Sequence, residues 1–163
     1  PDGEKIAYIV DEDLSRFGLL GPLTIIDPER PDEPVELIEE LVFTFFWAPD
    51  SEQIAYFVPT IPDETASPGT GSEHVFFQTY VRQLGEESSN FVATILPTDE
   101  FLNMVPGFDQ FTHTVTIWSP DSRYLVLSLI SPDGNPAIWV ASAGGDREPR
   151  HIADGHLGIW SWR

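Results

Sequence analysis

The chain has 163 residues, 41% of them hydrophobic and 12% aromatic, with 27 acidic against 8 basic residues and a formal charge of −19. That length can bury one packed core and the composition excludes a disordered chain, while the charge repels phosphate backbones and anionic membranes and argues against nucleic acid as a partner. Without any cysteine, disulfides, thiolate metal sites and cysteine nucleophiles are excluded, and no apolar run approaches the roughly 18 residues of a membrane-spanning helix. The plain role of such a charge is solubility; the alternative is a basic partner drawn in by the field.

The chain opens on Pro1-Asp2-Gly3, without a methionine, and this start reads as a fragment or a processed product. PDGEKIAYIV (1–10) is a turn running into a strand. LTIID (23–27) and PVELIE (34–39) follow as strands; the two prolines of PDEPVELIEELV argue against a helix there. LVFTFFWA (41–48) leads into a turn and QIAYFV leaves it. Residues 59–73, rich in Pro, Thr, Ser and Gly, read as an insertion before the strand HVFFQTYVRQL (74–84). FVATIL (91–96) is the next strand and 97–111 a second insertion. THTVTIWS (112–119), YLVLSL, PAIWVASA (136–143) and RHIAD (150–154) complete the set, and HLGIWSW begins one more strand. All are rich in β-branched and aromatic residues and bounded by turn formers, and 15 prolines with 12 glycines leave no room for a long helix.

One phrase recurs. WAPDSEQIAYFV (47–58) and WSPDSRYLVLSL (118–129) agree position by position, and PDGEKIAYIV repeats the phrase without its tryptophan. Trp47, Trp118 and Trp160 lie 71 and 42 residues apart, and Pro1, Pro49 and Pro120 lie 48 and 71 apart. A period near 40–45 residues fits a four-stranded propeller blade, the longer interval holding an insertion. Proline presets φ at the second turn position, and Asp50 or Asp121 followed by serine completes a type I-like turn joining the inner strand to the next. The tryptophan closing each inner strand is expected to pack between neighbouring blades.

These phrases resemble the repeat of TolB-type β-propellers, a WD-like family with the pattern W-S-P-D-G-x-x-I-A-F, and the resemblance runs over the whole chain. The resemblance implies an all-β chain of four-stranded antiparallel blades, about three of them, in one propeller segment: approximate repeats 1–40, 41–111 and 112–155 and an extra inner strand at 156–163. Trp47, Pro49, Asp50, Trp118, Pro120, Asp121 and Trp160 are its structural repeat residues. The N-terminal blade lacks an inner strand and the C-terminal inner strand lacks a blade, so the chain is expected either to be part of a larger propeller or to close a ring by self-association through its open edges. The function this implies is a non-enzymatic scaffold for a protein or peptide partner, periplasmic or extracellular, without cofactor. The alternatives are the substrate-gating propeller of a prolyl oligopeptidase-like serine peptidase and a self-assembling structural subunit.

The search for chemistry returns little. G-x-S-x-G, H-E-x-x-H and a phosphate-binding glycine loop are all missing from the sequence. His151 and His156 could share a metal with Asp154, but hydrogen-bonded surface histidines are the better reading. Asp11, Glu12 and Asp13 lack the pattern of a calcium loop and read as a solvated loop. The candidate partner-binding residues are Phe108, Asp109, Phe111 and His113, aromatics beside an acid just ahead of an inner strand; the competing reading is a loop that folds its aromatics over the blade edge.

Overall fold

A computed structural model of the chain describes residues 2–10, 13–15, 18–60, 75–105 and 116–161, with only the backbone described at 13–15 and 18–19. It is all-β: three antiparallel sheets stand in sequence as propeller blades. The first blade contains β1 (Ile6–Ile9), β2 (Asp13–Ser15), β3 (Gly18–Ile26) and β4 (Val35–Val42). Ile9 faces Leu23 and Asp13 faces Leu20, so β1 and β2 pair with successive parts of β3. Asp13, expected in a solvated loop, therefore lies in a ladder.

The second blade is the meander β5 (Thr44–Trp47), β6 (Gln53–Thr60), β7 (Phe76–Gln83) and β8 (Ser89–Ile95). Two sequence boundaries move here. The run expected as one strand over 41–48 divides at Phe43, with Leu41 and Val42 belonging to β4 and the first blade. The insertion expected from residue 59 starts later, because Pro59 and Thr60 pair with Phe77 and Phe76. Proline is tolerated there because β5 pairing with β6 stops at Thr44 opposite Phe57, leaving no ladder partner for the missing N–H.

The third blade is β9 (Tyr124–Ile130), β10 (Pro136–Ser142) and β11 (Arg150–Asp154). Its inner strand, expected over 112–119, is described only from Thr116 and pairs briefly: Trp118 bridges Leu125, and Val126 N–H donates to Ile117 C=O at 2.8 Å. The rest of that edge of β9 is taken by Leu96–Thr98, where Ile130 N–H donates to Leu96 C=O at 2.7 Å and Pro97 bridges Leu129. The segment expected as a second insertion thus starts as sheet edge and continues into a helix, α1 (Asp99–Met104), capped by Thr98 and buried through Phe101. The threonine hydroxyl accepts from Phe101 N–H, and two acids in the first turn suit the helix dipole.

The strands between blades are buried on both faces. Ile54 and Tyr56 of β6 join Leu23, Ile38 and Val42 of the first blade, while Ala55 and Phe57 join a larger cluster with Leu125 and Leu127. Each blade has a leading face toward its predecessor and a trailing face toward its successor. The recurring phrase makes the joints. Ser51 and Ser122 close their turns by donating to Ala48 and Ser119 carbonyls at 3.0 and 2.9 Å, both in the left-handed region at φ 64° and 57°. In the first two copies of the phrase the N–H of the turn aspartate reaches the next blade. Asp2 N–H donates to Ser51 Oγ at 2.9 Å, and Asp50 N–H donates to Ser122 Oγ at 3.0 Å. A further copy of the turn, Ser131–Gly134, joins β9 to β10, with Gly134 at φ 84°.

The turn aspartates set the acid stability. Hydrogen bonds from the Glu29 N–H and the Arg30 guanidinium hold Asp27 below the usual carboxylate range. The Ser119 hydroxyl does the same for Asp121, the Asn135 amide for Asp133 and the Ser142 hydroxyl for Asp146. A carboxylate with a lowered folded value stabilises the fold above its unfolded value and loses that contribution as pH falls through the folded one. The urea midpoint is therefore expected to fall as pH is taken from about 4.5 to about 2.5, below the ordinary aspartate range. Equilibrium unfolding at stepped pH measures this; a midpoint flat across that window would contradict it.

Candidate functional site: an apolar cleft between the second and third blades

Between the second and third blades, at the ends where β5 and β7 begin and β8 and β9 finish, lies an open cleft of about 1810 Å³. The blade meanders set its walls. The tilted rings of Phe43 and Phe77 meet at 5.0 Å on one side, and Leu129 and Trp139 stand on the other. Phe76, 44% exposed, sits on the near lip. Asp99 and Glu100 of α1 and Glu148 from the β10–β11 loop supply an acidic rim.

Polar contacts fix the far wall. Trp139 Nε1 donates to Ser131 Oγ at 3.3 Å, and its ring meets His151 edge-on at 5.5 Å. His151 Nε2 lies 3.3 Å from Asp154, whereas His156 Nδ1 lies 3.1 Å from Glu100. The two histidines expected as possible co-ligands with Asp154 thus have separate carboxylates. Among the described residues no three His, Cys, Asp or Glu side chains gather as a metal cluster. Thr98 Oγ1 donates to the His156 carbonyl at 2.6 Å, so α1 and the C-terminal segment are pinned together at the cleft's edge. The arrangement offers apolar surface bordered by carboxylates, suited to a ligand with a large apolar group and positive charge.

The sequence-derived residues fall in three places. Trp118 is fully buried, its Nε1 donating to Phe46 C=O across the joint at 2.9 Å. Trp47 packs against the cluster between the first two blades, and Trp160 lies on the third blade with its N–H donating to Thr116 C=O at 3.1 Å. Pro49 and Pro120 occupy the turns, Asp50 Oδ1 accepts from Glu52 N–H, and Asp121 Oδ2 accepts from Arg123 Nε at 2.8 Å. Phe108, Asp109, Phe111 and His113 lie outside the described residues. Sequence reasoning passed over the serine hydroxyls that accept across the joints, although both copies of the phrase carry serine after Pro-Asp. It also passed over α1 and the Glu100–His156 pair, which depend on residues 56 positions apart.

Fold and cleft together define an all-β, three-bladed propeller segment with an acid-rimmed apolar cleft. No protein-family model matches the chain and no curated protein matches it.

Proposed function

We propose that this chain is a non-enzymatic β-propeller scaffold that binds a protein or peptide partner, of TolB type and working in the periplasm or outside the cell. The observation that carries the reading is the cleft: aromatic walls from Phe43, Phe77 and Trp139 beneath the carboxylates of Asp99, Glu100 and Glu148. Apolar walls supply contact area, and the rim selects charge and speeds encounter. The favoured ligand is an extended peptide segment carrying a large apolar side chain flanked by lysine or arginine. The envelope location rests on the repeat phrase and its resemblance alone.

Selection of random displayed peptides against the immobilised chain tests this. The expected winners are basic and aromatic, binding more weakly as salt rises. Phe76→Ala and Glu148→Lys, both at exposed positions, should each weaken them about tenfold. A selection that returns nothing above background, or winners indifferent to both substitutions, would overturn the reading.

A further inference from the structure

The arginines of this acidic chain show an inversion. Arg30, Arg123 and Arg147 each lie beside an aspartate, at 2.9, 2.8 and 3.6 Å, and their side chains are 68%, 71% and 75% exposed. Water alone would serve charges as exposed as these. Arg82 is the reverse. Its Nε is buried without a hydrogen-bond partner, and its guanidinium has no ion pair among the described residues. A buried polar atom left unmet costs free energy, and more when it belongs to a charged group. Such an orphan within a strand calls for a partner that the chain does not supply.

The strand register shows what surrounds it. Arg82 of β7 faces Ile54 on one side and Ser89 on the other, and Tyr80, two residues along, faces Tyr56 and Phe91. Facing residues share a side of the sheet, and this side turns toward the first blade, in whose cluster Ile54 and Tyr56 are buried. The Tyr56 and Tyr80 rings stack at 5.4 Å, and Phe91 meets Tyr80 edge-on at 5.5 Å. Phe91 is 49% exposed, so the aromatic row runs from the core out to solvent. Gln78 borders it and accepts from the Tyr80 hydroxyl at 3.0 Å. Burial pushes the Tyr56 hydroxyl above the usual tyrosine range, and Ser89, Glu40 and Arg82 all lie close enough to act on it. Glu40 is thus the nearby carboxylate, yet it does not pair with Arg82.

We infer that Arg82, Tyr80 and Phe91 form a binding site for a small aromatic carboxylate, its carboxylate on the guanidinium and its ring against Phe91. Residues two apart on a strand stand about 7 Å from each other, which matches a carboxylate about three bonds from a ring. The guanidinium fork suits a carboxylate, and the exposed ring offers both face and edge. A single charge suits the site, because the net charge of −19 repels polyanions. An extended peptide is disfavoured: the turn at Gly145 sits against the Phe91 carbonyl and closes the edge of β8 to an added strand. The site lies on the opposite side of the second blade from Phe77, so it stands or falls independently of the peptide reading.

Phenylpropionate is the probe. Titrated into the chain and followed by amide nuclear magnetic resonance, it is expected to shift the signals of β7 and β8 around Arg82 and Phe91. The expected Kd is about 1 mM, the affinity open to so few atoms. Phenylpropanol, which lacks the charge, should bind at least tenfold more weakly. Arg82→Met keeps the packing of the stem and removes the charge. It should abolish binding and leave the urea midpoint unchanged or raised, whereas loss of a merely structural arginine would lower it. Phe91→Ala, at an exposed position, should weaken binding about fivefold, and Arg30→Met should not change it. The inference is overturned by an absence of shifts at about 20 mM probe, by equal binding of acid and alcohol, or by binding that survives Arg82→Met. A tripeptide ending in phenylalanine that binds where phenylpropionate does not would also overturn the assignment to a small acid.

Discussion

Trp118→Ala is expected to lower the unfolding free energy by about 3–5 kcal/mol, the range for emptying a buried aromatic site. Three features of the site set that size. The side chain is fully buried in the cluster that joins the second and third blades, so the void cannot be filled by water without meeting apolar walls. The indole Nε1 donates to Phe46 C=O across the joint. The residue also bridges Leu125 of β9. Trp118→Phe keeps most of the volume but removes the donor, and should cost about 1–2 kcal/mol. Urea unfolding of the two variants measures the difference. A small loss for alanine would mean the blades are not held at this joint. Domains carry only about 5–15 kcal/mol in total, so the alanine variant loses a large share.

Gly145→Ala is the second large effect, expected to cost about 2–4 kcal/mol. Gly145 closes the turn after β10 at φ 64°, where an L side chain is strained. More decisively, a Cβ there would lie 2.1 Å from the Phe91 carbonyl oxygen of β8. That oxygen belongs to the neighbouring blade's backbone and cannot rotate away, so the whole turn must lift from the second blade. Gly134→Ala is the control: it has φ 84° but open space around it. It should cost only the conformational strain of about 1–2 kcal/mol. Equal losses in the two variants would show that the backbone conformation, not the contact with β8, governs Gly145.

How far this architecture was legible depends on the range of the interaction involved. The strands of the blades were readable because alternation, β-branched residues and the Pro-Asp turn are local signals. The serine after Pro-Asp closes its turn within four residues. What the sequence hid was competition for an edge. Nothing local says that Leu96–Thr98 takes the part of β9 expected to pair with the start of THTVTIWS. That outcome depends on α1 folding back so that Phe101 enters the core and Thr98 meets His156. The cleft was hidden for the same reason. Phe43, Phe77 and Trp139 read individually as strand residues, and only the twist between two blades sets them around one space. The division at Phe43 was also unreadable, because LVFTFFWA is apolar throughout and alternation cannot mark where one blade hands over to the next.

The joints between blades also imply an order of assembly. Within a blade, each strand meets a neighbour a short turn away, except where β6 and β7 are separated by residues 61–75. The contacts that lock blade to blade join residues 49 and 72 positions apart. Closing such long loops costs entropy before the contact returns anything, so hairpins form early and joints late. Trp118 then belongs to the late set, and its loss should appear mainly as faster unfolding, with the folding rate nearly kept. The same serine ladder that aligns finished blades thus acts as a latch, setting how long the assembled molecule lasts more than how quickly it forms.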